Sequence, residues 1–186
     1  SPVCSLGIVQ TIPEDAAPVP HPLDGKPTSI STVIALVLPA SVGSDIAMVL
    51  DDCLPYAGAH DYAACSLALT ARWARRSKEA QHANGQMVFG IVQGGSFENL
   101  RRASAEATVA IGFDGYAICG VSVGEPEPEM MQAVEWSEPL LPNDNPRSAL
   151  ARGPPPPPLA YTAPAVARSC CAPPPRQPPT CPPPPP

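Results

Sequence analysis

The sequence predicts an α/β fold built on a parallel sheet. Three observations carry that expectation. Short apolar runs end in polar or glycine residues. Helix-length segments repeat their apolar residues at steps of three and four. The two alternate three times between residues 43 and 147. The runs are almost continuously apolar, as strands buried on both faces must be.

The elements follow in chain order. Asp45–Leu50 is the first apolar run and ends in Asp51, Asp52 and Cys53. A helix is expected from about Asp61 to Ala83, with Tyr62, Ser66, Leu69 and Trp73 on its core-facing stripe. Met87–Val92 is a second strand closed by Gln93, Gly94 and Gly95. A helix follows from about Ser96 to Ile111, with Ser96 as N-cap and Phe97, Leu100, Ser104 and Ala107 on one side. Tyr116–Ile118 is the third strand and ends at Cys119-Gly120. Pro126 or Pro128 opens a third helix running to about Leu141.

Composition bounds the domain. The 186 residues include 29 prolines, and 16 of these lie between Gly153 and Pro186. Residues 1–40 read as an irregular, proline-containing segment, because prolines 13, 18, 20, 22 and 27 break any helical period. Residues 41–147 form the globular part. Residues 148–186 form a proline-rich, low-complexity tail, expected to be disordered or polyproline II. The net charge of −6 argues against a protein that coats nucleic acid through a basic surface, though not against a local basic patch. Seven cysteines without a CxxC pair argue against a disulfide scaffold and a ribbon-type zinc site. No run of apolar residues is long enough to span a membrane, and no basic segment precedes an apolar one at the N-terminus.

Parallel α/β sheets place their chemistry at the C-terminal ends of strands. Here those ends carry Asp51, Asp52 and Cys53; Gln93, Gly94 and Gly95; and Cys119 and Gly120. The Asp51 carboxylate can accept two adjacent N–H donors, such as the ring N–H and exocyclic amine of a guanine-like base. The Gln93 amide and a backbone N–H would face the carbonyl oxygen of that base. Gly94, Gly95 and Gly120 let a flat ligand approach the backbone. The same residues can also be read without a ligand, with the aspartate as a cap and the glycines as tight turns.

Several segments narrow the choice. Gly43–Cys53, Phe89–Gly95 and Gly115–Glu125 closely resemble tRNA-guanine transglycosylases, the queuine tRNA-ribosyltransferases. Asp52-Cys53-Leu-Pro-Tyr56 and Arg72-Trp73 make the bacterial type the better likeness. Leu100–Arg102, Pro139–Pro142, Pro146-Arg147 and, upstream, Leu23-Asp24-Gly25 extend it. The resemblance implies part of a TIM-type (β/α)8 barrel. It implies exchange of guanine for queuine or its deazaguanine precursor at the wobble position of tRNA, by double displacement through an aspartate nucleophile. It assigns Asp51 and Gln93 to holding the base, Gly120 to offering its backbone N–H, and Cys53, with Gly94, to lining the pocket. The partners implied are tRNA, the base, and a second subunit in a homodimer or heterodimer. The compartment implied is the cytoplasm or an organelle.

The chain also departs from the family. The proton-transferring aspartate motif expected upstream and the nucleophilic aspartate expected after Arg147 are both missing, so no catalytic residue is assigned. No Asp or Glu follows Asp144. The zinc ligands of the family are absent: Cys170, Cys171 and Cys181 have the wrong spacing, and no His follows His82. Cys119 stands where the family has glycine. The expectation is a fragment of the enzyme, by itself inactive. The alternatives are an inactive paralogue or partner subunit that keeps only base-binding segments, and an interaction protein acting through its proline-rich tail. Arg72, Arg75, Arg76 and Lys78 read as a solvated helix face with an Arg75–Glu79 pair, Arg101 and Arg102 as a helix-side patch, and Trp73 as core.

Overall fold

The computed structural model describes Glu14 and residues 16–20, 27–54, 56, 58–81, 85–121 and 123–149. The proline-rich stretch from residue 150 onward lies outside them. The elements in chain order begin with strands β1 (Ala16–Pro20) and β2 (Pro27–Ser31), helix α1 (Thr32–Ser41) and strand β3 (Ile46–Met48). They continue with α2 (His60–Glu79), β4 (Met87–Val92), α3 (Glu98–Ile111) and β5 (Gly115–Ile118). They end with α4 (Glu127–Ser137), a 3₁₀ turn (Glu138–Leu140) and β6 (Arg147–Ala149).

β1 and β2 pair antiparallel as a separate hairpin. β3, β4, β5 and β6 form one sheet in that order, and every neighbouring pair is parallel. The α/β expectation is met, with the strands at the expected places. β4 and β5 supply most of the wall: from Val88 to Val92 and from Gly115 to Ile118 every residue is buried. Gly90 lets Phe113 and Thr108 pack against β4, because a side chain there would run into both. The main core joins this wall to Leu36, Ala74, Ala105, Val134 and Leu141.

The N-terminal segment is more ordered than its prolines suggest. Residues 27–41 are a strand and a helix, not irregular chain. The Ser31 hydroxyl caps α1 by accepting the Ile34 N–H at 3.3 Å. Pro39 sits in the last turn of α1, where it forgoes the bond to the Ala35 carbonyl, and the helix ends two residues later. α1 packs on α2 and β3. The boundary placed at residue 41 therefore falls at the end of a helix, and that placed at residue 148 falls inside β6.

Two local readings are corrected. Ser96 is not the N-cap of α3. Phe97 takes that place with no side-chain bond, because the Gly94-Gly95 turn carries the chain two residues further before the helix starts. The basic cluster on α2 is not a purely solvated face. The Arg72 Nε and Nη2 atoms donate to the two Glu14 carboxylate oxygens at 2.8 and 2.7 Å, and Arg76 Nη2 adds a third bond at 2.8 Å. The Arg72 guanidinium, more than any other group, holds the Glu14 carboxyl below the usual carboxylate range. Trp73, fully buried as expected, donates its Nε1–H to the Glu14 carbonyl at 2.6 Å. Cys65 on α2 is disulfide-bonded.

Among the described residues no helix is long and apolar enough to cross a membrane.

Candidate functional site

The three expected strand ends meet at one rim. β3 is prolonged past Met48 by the Val49 N–H bond to Phe89 O, and β5 past Ile118 by the Cys119 N–H bond to Val92 O. Hydroxyls from the helices then pin each loop. The Asp52 N–H donates to Thr70 Oγ1 at 3.1 Å, and Ser66 Oγ donates to the Asp52 carbonyl at 3.1 Å. The Gln93 N–H donates to Ser104 Oγ at 2.9 Å. Each of these hydroxyls is buried where helix stripes would otherwise be apolar.

At the centre lie Asp51 and Gln93, each 1% exposed. Gln93 Nε2 donates to Asp51 Oδ2 at 2.6 Å. The remaining oxygens, Asp51 Oδ1 and Gln93 Oε1, are buried and accept no hydrogen bond. Two such orphans on adjacent side chains form a pair of acceptors for which the described residues supply no donor, whereas buried polar atoms are otherwise nearly always partnered. One Nε2–H of Gln93 is spent on Asp51, and the amide keeps its second N–H beside the unpartnered Oε1.

The other expected residues take their places around this pair. Gly120 has φ +64°, and a side chain there would collide with Gln93 Oε1. Gly94 has φ +136° and lies against the first turn of α3. Cys53 is half-buried and Cys119 is buried. Asp52 is buried but turned to α2 through its backbone bonds; burial, the main cause, pushes its carboxyl up from the ordinary value. At the outer margin the Tyr56 hydroxyl donates to the Glu129 carboxylate at 2.9 Å and ties the loop after β3 to α4. The Glu125 carboxylate accepts the Val123 N–H at 2.8 Å.

Arg101 departs most from expectation. It is not part of a surface patch: it is fully buried behind the rim. Its Nε donates to Gly95 O at 2.8 Å, Nη1 to Cys119 O at 2.5 Å and Nη2 to Gly120 O at 2.8 Å. Burial pushes its pKa down to about 10, opposed by Cys119, Glu125 and Cys53, so it is still charged at neutral pH. The signal was present in the sequence. Arg101 follows Phe97 by four residues and precedes Ser104, Ala105 and Thr108 by three, four and seven, which is the period of a buried stripe.

Among the described residues no three His, Cys, Asp or Glu side chains come together as a metal site. Cys170, Cys171 and Cys181 lie outside the described residues.

Comparison with known proteins bears on residues 2–158. The family model described as queuine tRNA-ribosyltransferase matches residues 2–158. A queuine tRNA-ribosyltransferase of Hydrogenovibrio crunogenus is 44% identical over 151 residues, covering 81% of this chain and 41% of the relative. Those of Actinobacillus succinogenes and Marinobacter nauticus are each 43% identical, covering 81% of this chain and 40% of the relative. The chain thus spans about two fifths of the length of these curated relatives. The match runs on both sides of the strand ends just described, through the hairpin and α1 upstream and β6 downstream, and by its breadth this chain belongs to the queuine tRNA-ribosyltransferase family.

Proposed function

We propose that this chain forms the base-recognition sector of a tRNA-guanine transglycosylase, the enzyme that exchanges guanine for queuine or a deazaguanine precursor at the wobble position of tRNA. The observation that carries the proposal is the orphaned pair, Asp51 Oδ1 and Gln93 Oε1. A guanine-type base brings its ring N–H and exocyclic amine as adjacent donors in one plane, which two adjacent acceptors match. The base carbonyl would then face the backbone N–H of Gly120, with Cys53 and Gly94 lining the rim. The strand order supports a sector of a TIM-type barrel. It follows chain order without reversal, with a helix in the β3–β4, β4–β5 and β5–β6 connections. Right-handed crossovers then keep the helices on one face.

In this chemistry the base is the leaving group. Acceptors on its N–H edge and donors on its carbonyl hold the departing ring in plane while a carboxylate attacks the ribose carbon. The described residues are therefore proposed to bind the base, while tRNA and a second subunit are the partners of the intact enzyme.

The test is calorimetric titration of guanine into the chain and its variants. Asp51→Ala removes a charged acceptor, so affinity should fall by about 1.5–3 kcal/mol, roughly 10- to 150-fold. Gln93→Ala removes a neutral one and should cost about 0.5–1.5 kcal/mol. Asp52→Asn should leave affinity little changed, because Asp52 is tied to α2. If Asp52→Asn is the more damaging, the base is held by the other aspartate. If Asp51→Ala binds as the wild type does, the strand-end residues are caps and turns only.

A further inference from the structure

We infer that Arg101 is a positioning residue that sets the direction of the Gly120 and Val121 N–H groups, and so decides whether the site recognises the carbonyl oxygen of the base. The inference rests on the base-binding function proposed above.

The geometry follows from the peptide plane. In a trans peptide the C=O and the next N–H point in opposite directions, and no cis peptide is present among the described residues. Arg101 Nη1 holds the Cys119 carbonyl, so the N–H of Gly120 points away from the guanidinium. Nη2 holds the Gly120 carbonyl, so the N–H of Val121 points away as well. Neither N–H has a hydrogen-bond partner among the described residues. Gln93 Oε1, one of the orphaned acceptors, lies directly beside Gly120. An unspent backbone donor at Gly120 thus stands beside the unspent Gln93 Oε1, with that of Val121 one residue further on, which is the complement of a ring carrying both N–H groups and a carbonyl.

The charge and shape of the side chain both matter. A guanidinium polarises the peptide units whose carbonyls it binds, and this strengthens the N–H at the far side. Its planar fork reaches three carbonyls from two different loops at once, Gly95 on one side and Cys119 and Gly120 on the other. A lysine ammonium carries the same charge but cannot span the three acceptors in one plane.

The test compares guanine with 6-thioguanine, which keeps both N–H donor groups and replaces the carbonyl oxygen by sulfur, a weak acceptor. The wild-type chain should prefer guanine. Arg101→Lys should weaken guanine by about tenfold, the worth of one well-placed hydrogen bond, and leave 6-thioguanine nearly unchanged, so that the preference disappears. A loss of the same factor for both bases means that Arg101 only supports the fold, and overturns the inference. So does guanine affinity equal to that of the wild type. Should the variant fail to fold, the wild-type chain decides alone: guanine should slow amide hydrogen exchange at Gly120 and Val121, and unprotected amides in the bound state overturn the inference. If the wild-type chain binds neither base, the proposed function itself fails and the role of Arg101 falls with it.

Discussion

Gly94→Ala is expected to cost about 2–6 kcal/mol of stability, enough to unfold much of the chain at ambient temperature. Two effects add. The glycine has φ +136°, where L side chains are strained by about 1–3 kcal/mol. The new Cβ would also lie 2.6 Å from the Arg101 nitrogen and 2.9 Å from the Leu100 carbonyl carbon. Both are backbone atoms in the first turn of α3, so no side chain can swing aside. The helix itself must move, which as overpacking costs about 1–3 kcal/mol more. Such a shift would also displace Arg101 and Ser104, which fasten the loops of the rim. The denaturation midpoint followed by circular dichroism should fall sharply. A midpoint equal to that of the wild type would show that α3 is not pressed against this turn.

What the sequence made legible, and what it hid, divides along physical lines. Strand positions were readable because β4 and β5 are buried on both faces, which forces an unbroken apolar run. Asp51 and Gln93 were readable because they follow directly after such runs. The hairpin and β6 were not. β1 pairs with β2 across intervening prolines, and the three residues of β6 owe their strand conformation to β5, a partner 31 residues earlier at Tyr116↔Arg147. Pairings of that kind leave no local period. α1 was hidden because it directly follows a proline-containing stretch and itself contains Pro39, which removes one i→i−4 bond without ending the helix before Ser41. Arg101 carries the period of a buried stripe, but arginine ordinarily belongs at the surface, and that outweighs the period. Its burial is sustained by three carbonyls that come from other segments, and only the fold brings those together. The orientation of the Gln93 amide is of the same kind, for it depends on how close the Asp51 carboxylate comes.

Gly120→Ala should act on binding instead of folding, although this glycine also has a positive φ, +64°. Alanine in the left-handed region costs about 1–2 kcal/mol, a tolerable loss. Its Cβ would overlap Gln93 Oε1, which is the mobile end of a side chain and not backbone. Gln93 must therefore turn away, and in doing so it breaks the 2.6 Å bond to Asp51 Oδ2. One acceptor leaves the site, and the carboxylate loses the contact that orients it. Guanine should bind more weakly by about the 0.5–1.5 kcal/mol expected of Gln93→Ala, roughly 2- to 13-fold, while the melting transition moves only modestly. A double variant separates this cause from general strain. Gln93→Ala removes the atom that the new methyl group meets. Gly120→Ala combined with Gln93→Ala should then bind guanine about as Gln93→Ala alone does, a strongly non-additive cycle. Additive losses would place the damage in the Gly120 backbone itself, and the link from Gly120 through Gln93 to Asp51 would have to be abandoned.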